Sequence, residues 1–351
     1  MTSQTITNAQ PESADVGALL ARLQDGRTKA VGWITDRIDD SGAPAAADIE
    51  NAWWRAPWAL CVAGAPDAAA SMIGWVERTA LTEDGDLRPG PYGGDGPGSP
   101  VYHLSPIAIA SWLLARYDTA TTVMDRLATY QNGASGGAFE YRNFRADPLE
   151  DTLKTGQLGL SALVTGRRDI ADGVKAWLKL NFDEQPDLPD LLYTSRQEGR
   201  LVTSFPPEQA FSRVVDFNKP RQAYFHPGIA AAFLAGYSQQ ARDEEALVLA
   251  HKYLALNQGG SNAQFNDEQS VQICKFGWGE AAVHAADPNG QQLPWLIKMA
   301  EWFLSRQKND GSWAPSSFIT PQPGVTDYLW KTSEHLMELS YIELALRASA
   351  I

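Results

Sequence analysis

Five histidines occur in 351 residues, few enough to weigh each for proton chemistry. His226 stands in the run Tyr224-Phe225-His226-Pro227, one titratable ring among apolar neighbours at the start of a helix. Imidazole titrates closest to neutrality of all side chains, which suits it to general acid or base work. His103, shortly before Pro106, occupies the same kind of position. Glu334 and His335 are adjacent on the last helix, and because helix neighbours point about 100° apart, a single cavity receives one of them. Asp151, in Leu-Glu-Asp-Thr, is either a carboxyl partner for these rings or a first-turn acid complementing its helix dipole. The expected catalytic set is therefore His226, His103, His335, Asp151 and Glu334. His251, on an amphipathic helix, reads as surface, and His284 as a core ring facing a neighbouring helix.

Aromatic and polar groups at the same helix starts form the expected binding set. Trp53, Trp54 and Trp58 crowd around Arg55, and Tyr102, Tyr224, Arg221, Trp278, Trp330 and Asp327 join them. Cys274, beside Lys275, is either a site residue or a small buried hydrophobe. Lys154, Glu280 and Lys331 are further polar groups that an apolar helix has no packing reason to keep. An aromatic wall facing acids and histidines can stabilise cationic character, exclude water and move protons. The same tryptophans can stack on sugar rings.

Other site types are absent: no G-x-x-x-x-G-K-[ST], no strand followed by G-x-G-x-x-G, no H-E-x-x-H and no G-x-S-x-G. No metal and no organic cofactor are expected. With 29 basic against 42 acidic residues the net charge is −13, which excludes a polyphosphate such as nucleic acid as partner. Hydrophobic residues make up 44% of the chain, enough for a large core. Cys61 and Cys274 are the only cysteines, which rules out a disulfide framework and fits a reducing compartment. Neither an 18-residue apolar stretch nor a basic-then-apolar N-terminal signal is present. A cytoplasmic protein with a small-molecule substrate is expected, with oligomerisation left open.

Helical spacing dominates the elements that must position these groups. A module recurs in which a helix ends in an aromatic, followed by a polar turn with Asp or Asn and Gly, then an aromatic or Pro. Its anchors, Trp33, Trp75, Tyr130, Trp177, Tyr253 and Trp302, lie 42, 55, 47, 76 and 49 residues apart. Such periods signal stacked helix pairs. A second helix follows each module, at 48–64, 101–117, 150–165, 222–239, 270–287 and 325–349. These second helices carry apolar and small residues on several faces and belong inside, whereas helices such as 242–257 have one polar face and belong outside. The pattern predicts an all-α (α/α)6 toroid of inner and outer rings, with an open superhelix as the alternative arrangement. One domain over 15–351 follows a flexible 1–14, with lid-like insertions at 83–100 and 183–221.

Gln307-Lys-Asn-Asp310-Gly311-Ser-Trp313 resembles the Q-x-x-D-G-x-W turn of squalene and oxidosqualene cyclases and of protein prenyltransferase β-subunits. Gln131-Asn132-Gly-Ala-Ser-Gly136-Gly137-Ala-Phe139 resembles its Q-N-x-x-G-G-F form. The resemblance implies the toroid and says little about chemistry, since it covers about seven residues per copy. Catalytic motifs depart from it: Glu83-Asp84-Gly-Asp86 does not match the cyclases' acidic protonation motif. In Gln272-Ile-Cys274 with His335, Gln replaces the carboxylate of the prenyltransferase zinc site, leaving a zinc ion undercoordinated. The double ring also serves N-acylglucosamine 2-epimerases and unsaturated glucuronyl hydrolases. Three functions are carried forward. The first is a cofactor-independent cyclase, isomerase or lyase acting on a small apolar, terpenoid- or polyketide-like molecule. The second is a carbohydrate-active epimerase, hydrolase or lyase, and the third a non-catalytic binding protein.

Overall fold

A computed structural model describes residues 13–289 and 291–349. Residues 1–12, most of the expected flexible N-terminus, lie outside the described residues. In chain order, α1 (Ser13–Thr35) is followed by α2 (Ala56–Val62), α3 (Pro66–Thr79), α4 (Val101–Leu113) and α5 (Tyr117–Ala128). Strand β1 (Leu149–Asp151) leads into α6 (Thr152–Thr165) and α7 (Arg168–Asp183). An insertion holds β2 (Leu191–Tyr193), β3 (Ser195–Gln197), β4 (Arg200–Leu201), the short α8 (Ala210–Arg213) and β5 (Val214–Asp216). Then come α9 (Phe225–Ala241), α10 (Glu244–Gly259), the short α11 (Ala263–Asn266), α12 (Cys274–Ala286), α13 (Leu293–Arg306) and α14 (Val325–Ser349).

Helices α2, α4, α6, α9, α12 and α14 each pack on the next, and α14 packs back on α2, so the inner ring is closed. Around it stand α1, α3, α5, α7, α10 and α13, with α1 against both α13 and α14 completing the outer circuit. Burial assigns the layers. Helix α9 is buried without interruption from His226 to Ala235, while α10 buries a stripe through Ala246, Leu249, Ala250, Tyr253 and Leu254. The fold is the (α/α)6 toroid that the repeat spacing predicts.

The recurring turn explains why the ring closes. In its last copy, Gln307 Nε2 donates to Gly311 O within the turn at 2.9 Å and to Gly26 O on α1 at 2.8 Å. In the third copy, Gln131 Nε2 donates likewise to Gly136 O at 2.9 Å and to Ile170 O on α7 at 3.0 Å. Glycine is required by both backbone angle and space. Gly311 has φ +94°, and a Cβ there would stand 2.5 Å from the Lys29 carbonyl of α1; Gly136 has φ +84° and would meet Gly173 O of α7 at 2.1 Å. Gly42 on Ser71 and Gly85 on Thr122 repeat the approach, so four of the six turns are pressed on the backbone of the next outer helix, with the sixth turn pressed on the first helix. Asp310 accepts from Ser312 N and from the Trp33 indole, tying turn and ring together.

Two expectations on element bounds need correction. Helix α2 begins at Ala56 rather than 48, because Pro57 lacks an N–H and fits only a first turn. Helix α4 ends at Leu113, since Ala115 takes φ +59° and turns the chain into α5. The 183–221 insertion forms small antiparallel sheets: β1, β3 and β4 make one, β2 and β5 the other. Pairing of β3 with β1 ties the insertion to the start of α6.

Candidate active site

All long connections lie where inner helices begin, whereas the opposite ends are joined by links as short as Gly166-Arg167 and Arg242-Asp243. Scaffold ends bearing long loops are where sites are built. A cavity of about 320 Å³ opens there, walled by Asn51, Trp54, Tyr102, His103, Asp327 and Trp330 among others. His103 stands edge-on to Trp54 at 5.1 Å, and Trp54 packs on Tyr102 at 4.8 Å.

Beneath this cavity the ring centre is ionic. Tyr102 reaches from the wall to donate its hydroxyl to Glu334 Oε1 at 3.0 Å. Glu334 also accepts from Lys275 and, at 2.5 Å, from Lys331. Glu338, one turn further along α14, lies 3.6 Å from Lys275 Nζ, and neither of its oxygens has a hydrogen-bond partner. Arg55, fully buried, donates to Gln157 Oε1 at 3.1 Å and lies over Trp54 at 4.6 Å and Tyr102 at 5.1 Å.

The environment sets the protonation states. Burial opposes ionisation of Glu334, but Lys275, Lys331 and Arg55 outweigh it and hold its carboxyl well below the usual range. Burial likewise opposes the charge on Lys275, and Glu334 more than restores it, raising the ammonium well above its ordinary value. Burial pushes Glu338 up to about 7 against the pull of Lys275. Burial, with the Glu334 charge, raises Tyr102 to about 12, so it remains a donor. His226 and His103 are both lowered to about 4 by burial, and each is neutral at physiological pH.

The expected residues divide into groups. His103, Tyr102, Trp54, Trp330 and Asp327 share the cavity wall, and Glu334 forms the floor beneath Tyr102. His226, 3% exposed, does not line that cavity, and both its ring nitrogens are buried without a partner, so it does not meet His103 there as expected. Its charge environment comes from Asp151 and Lys154 on one side and Lys275 on the other, the starts of α6 and α12 that flank α9. Asp151 caps α6, accepting from Lys154 N at 2.7 Å and Lys154 Nζ at 3.2 Å. His335 faces outward, edge-on to Trp302, Phe303 and Trp313 at 5.1 to 5.9 Å. Trp53 packs on Trp75 in the core, and Tyr224 is buried with its hydroxyl bonded to Lys219 O. Arg221 is at the surface, paired with Asp267 at 3.0 Å. Trp58 and Trp278 meet at 5.6 Å and wall a different cavity, at the far end of the ring.

Sequence reasoning named Arg55, Lys275 and Lys331 only as polar helix-start residues and missed Gln157 and Glu338. Positions 331, 334 and 338 share one helix face, a spacing that could have exposed the cluster.

Cys274, Glu334 and His335 place one donor atom each within 4.8 Å of one another. They do not suit a metal ion as they stand: burial raises the Cys274 thiol, and the Glu334 carboxylate is already shared by two ammonium groups. Asp86, from the acidic string set against the cyclase motif, is held by Arg126 at 2.5 Å and Arg142 at 2.7 Å. Among the described residues no helix is long and apolar enough to cross a membrane.

Fold and site together define an (α/α)6 toroid with a loop-crowned, aromatic-walled pocket above an ionic ring centre. The sequence matches no known protein-family profile and no curated protein. Solved structures share the architecture. A GH76 α-mannanase of Bacteroides thetaiotaomicron superposes with a TM-score of 0.65 at 13% identity, over 96% of this chain and 98% of that one. A D-mannose isomerase gives 0.64 at 10% identity over 93% and 97%. The GH76 α-1,6-mannanase of Salegentibacter, inactivated by two Asp-to-Asn changes and bound to α-1,6-mannotriose, gives 0.56 at 10% over 94% and 100%. At these identities the likeness is one of fold. The toroid implied by the repeat turns is present, and these neighbours are sugar enzymes rather than terpene cyclases.

Proposed function

We propose that the chain is a carbohydrate-active enzyme that moves a proton beside the carbonyl of an open-chain sugar, as an aldose–ketose isomerase or 2-epimerase does. The observation that carries the reading is His103, a neutral imidazole in the wall of the 320 Å³ cavity, edge-on to Trp54 and beside Tyr102, which reaches down to the Lys275–Glu334 pair. As base, His103 takes the proton from carbon 2 and returns it to carbon 1, while the carbon 2 hydroxyl proton passes to the former carbonyl oxygen. Negative charge develops on that oxygen as the first proton leaves. Lys275, Lys331 and Arg55 supply the positive field that stabilises it. Trp54 and Trp330 offer flat faces to the sugar, and the insertions at 83–100 and 183–221 would close over the cavity.

The ionic floor speaks against the apolar-substrate reading, because Arg55, Lys275 and Lys331 outnumber the ionised Glu334 and repel a carbocation. It speaks for a sugar, whose hydroxyls need such partners. The fold shared with a mannose isomerase and with mannanases supports the same substrate class. Hydrolysis needs two free carboxyl groups across the bond. The adjacent acids Glu150 and Asp151 do not provide them: Glu150 accepts from Asn132, Ser135 and Trp177, and Asp151 caps α6.

Incubation with aldoses and N-acylhexosamines in deuterated water, followed by proton NMR, tests the proposal. Deuterium should appear at carbon 2 of one substrate, and His103→Ala should abolish this while leaving the melting temperature nearly unchanged. No exchange in any sugar, or release of reducing ends from α-mannan that survives in His103→Ala, would overturn it.

A further inference from the structure

Moving hydrogen from carbon 2 to carbon 1 of an aldose is half of a rearrangement. The hydroxyl on carbon 2 must also lose its proton, and the former carbonyl oxygen on carbon 1 must gain one. His103 serves the carbon-bound hydrogen, so a second group has to serve the two oxygens. Granted the sugar reading, the wall of the same cavity shows which side chain that is.

Few residues of this wall can both take and give a proton. Trp54 and Trp330 carry indole N–H groups, which only donate. The Asn51 amide does not titrate, and its Nδ2 is committed to Tyr92 O at 3.0 Å. Thr326 is buried, and an aliphatic hydroxyl is too weak an acid. Tyr102 donates its hydroxyl to Glu334 Oε1 at 3.0 Å and, raised to about 12, keeps that proton. Glu50 is exposed, and no side-chain hydrogen bond among the described residues fixes its position. Asp327 remains. It stands half-buried in the first turn of α14, and its Oδ2 accepts from the Gly324 backbone N–H at 2.9 Å. Gly324 is the residue whose carbonyl takes the first bond of the helix, from Tyr328 N at 3.2 Å. A side chain three positions on that reaches back to this N–H is one arm of a capping box, and it fixes the carboxyl in place. One oxygen is used for holding, and Oδ1 is left for a ligand in the cavity.

We propose that Asp327 is a second catalytic residue of this cavity, the carboxylate that carries a proton from the carbon 2 oxygen to the carbon 1 oxygen during aldose–ketose isomerisation. The steps balance. His103 takes the proton from carbon 2, and the electron pair of that C–H bond forms the carbon 1–carbon 2 double bond as the carbonyl pair moves onto oxygen 1. Asp327 takes the hydroxyl proton from oxygen 2 and delivers it to oxygen 1. The pair left on oxygen 2 forms the new carbonyl, and the double-bond pair takes the proton from His103 at carbon 1. His103 and Asp327 end as they began, and no co-reactant is consumed.

The two proton transfers are read separately. In deuterated water, exchange at carbon 2 reports His103, and ketose formation reports Asp327. Asp327→Asn keeps the size of the side chain and, through its amide oxygen, the bond from Gly324 N. It should keep exchange within about threefold of wild type while ketose formation falls at least about a hundredfold, the usual worth of a positioned acid–base group. Asp327→Ala should recover ketose formation on addition of formate, a carboxylate small enough to enter the space left, which does nothing for a residue that only caps a helix. His103→Ala should lose both signals. A folded Asp327→Asn variant with ketose formation intact overturns the proposal, and so does one that loses exchange and ketose formation together. Formate that restores nothing to Asp327→Ala, or a carbon 2 epimer formed in place of ketose by wild type, overturns it as well. Those four results leave the sugar reading standing, whereas a wild-type chain that exchanges no sugar fails at that reading and takes the proposal with it.

Discussion

Replacing Glu334 by Gln should destabilise the protein more than replacing Lys275 by Met, although the two form one ion pair. Glu334 serves both Lys275 and Lys331 and is fully buried with them, whereas removal of Lys275 leaves Glu334 still bonded to Lys331 at 2.5 Å. Orphaning a buried charge costs roughly 3–5 kcal/mol. Two ammonium groups lose their carboxylate in Glu334→Gln, so that range applies to it, and about half is expected for Lys275→Met, where Met also refills the space. At about 2.1 cal/mol/K per residue of unfolding entropy, 4 kcal/mol lowers the melting temperature by roughly 5 °C in a chain of this length. Glu338 makes the deficit pH-dependent. Its carboxyl is raised to about 7 by burial, with Glu334 adding to the rise and Lys275, 3.6 Å away, opposing it. With Glu334 neutralised, Glu338 ionises at lower pH and replaces it as partner to Lys275. The deficit of Glu334→Gln should therefore be largest near pH 5, where Glu338 is protonated, and shrink towards pH 8. Melting curves by circular dichroism at both pH values measure it. A Glu334→Gln protein melting within about 1 °C of wild type at pH 5 would refute the assignment of Glu334 as the shared partner.

Because His103 is lowered to about 4 by burial, the acid limb of kcat/KM for sugar proton exchange should fall near pH 4 rather than 6.5; a limb at 6.5 would assign the base elsewhere. Glu280 is buried and raised to about 8, so its contribution to stability is complete below the unfolded value near 4.5 and is lost as pH rises to 8. Glu280→Gln should accordingly gain on wild type across that window, by on the order of 5 kcal/mol at its alkaline end, as read from denaturant midpoints. Gly311→Ala puts a methyl group 2.5 Å from the Lys29 carbonyl at φ +94° and should cost at least about 2 kcal/mol in chemical denaturation. A neutral Gly311→Ala would mean that the closing turn is not pressed on α1.

The toroid was legible because its cause is local and repeated. Gln131 and Gly136, or Gln307 and Gly311, are a few residues apart, and their contact with the next outer helix is the same in both copies. Pro57 marks where α2 starts, since a residue without an N–H fits only a first turn. Site residues at helix starts were legible in kind: His103, Tyr102, Trp54 and Trp330 do reach one cavity. Facing was not. Glu334 turns to the ring centre while His335 turns to Trp302, and no composition or period decides between two adjacent residues. Trp58 lies only four residues past Trp54, yet that one turn carries it to the other cavity. The floor itself joins α2, α4, α6, α12 and α14, and contacts between residues hundreds of positions apart leave no spacing to read.

Why the ring keeps that floor is the remaining question, and stability does not answer it. Burying ions costs solvation that their mutual attraction recovers only in part, and hydrophobic residues of like volume often serve a structural role as well or better. Stretches of the inner helices follow that rule, with Ile229 to Ala235 of α9 wholly apolar. Arg55, Gln157, Lys275, Lys331, Glu334 and Glu338 break it together, beneath the cavity that the long loops surround. Tyr102 connects the two, its ring in the wall and its hydroxyl on Glu334. Charged groups gathered beneath the one cavity that the long loops surround match a substrate rich in hydroxyls.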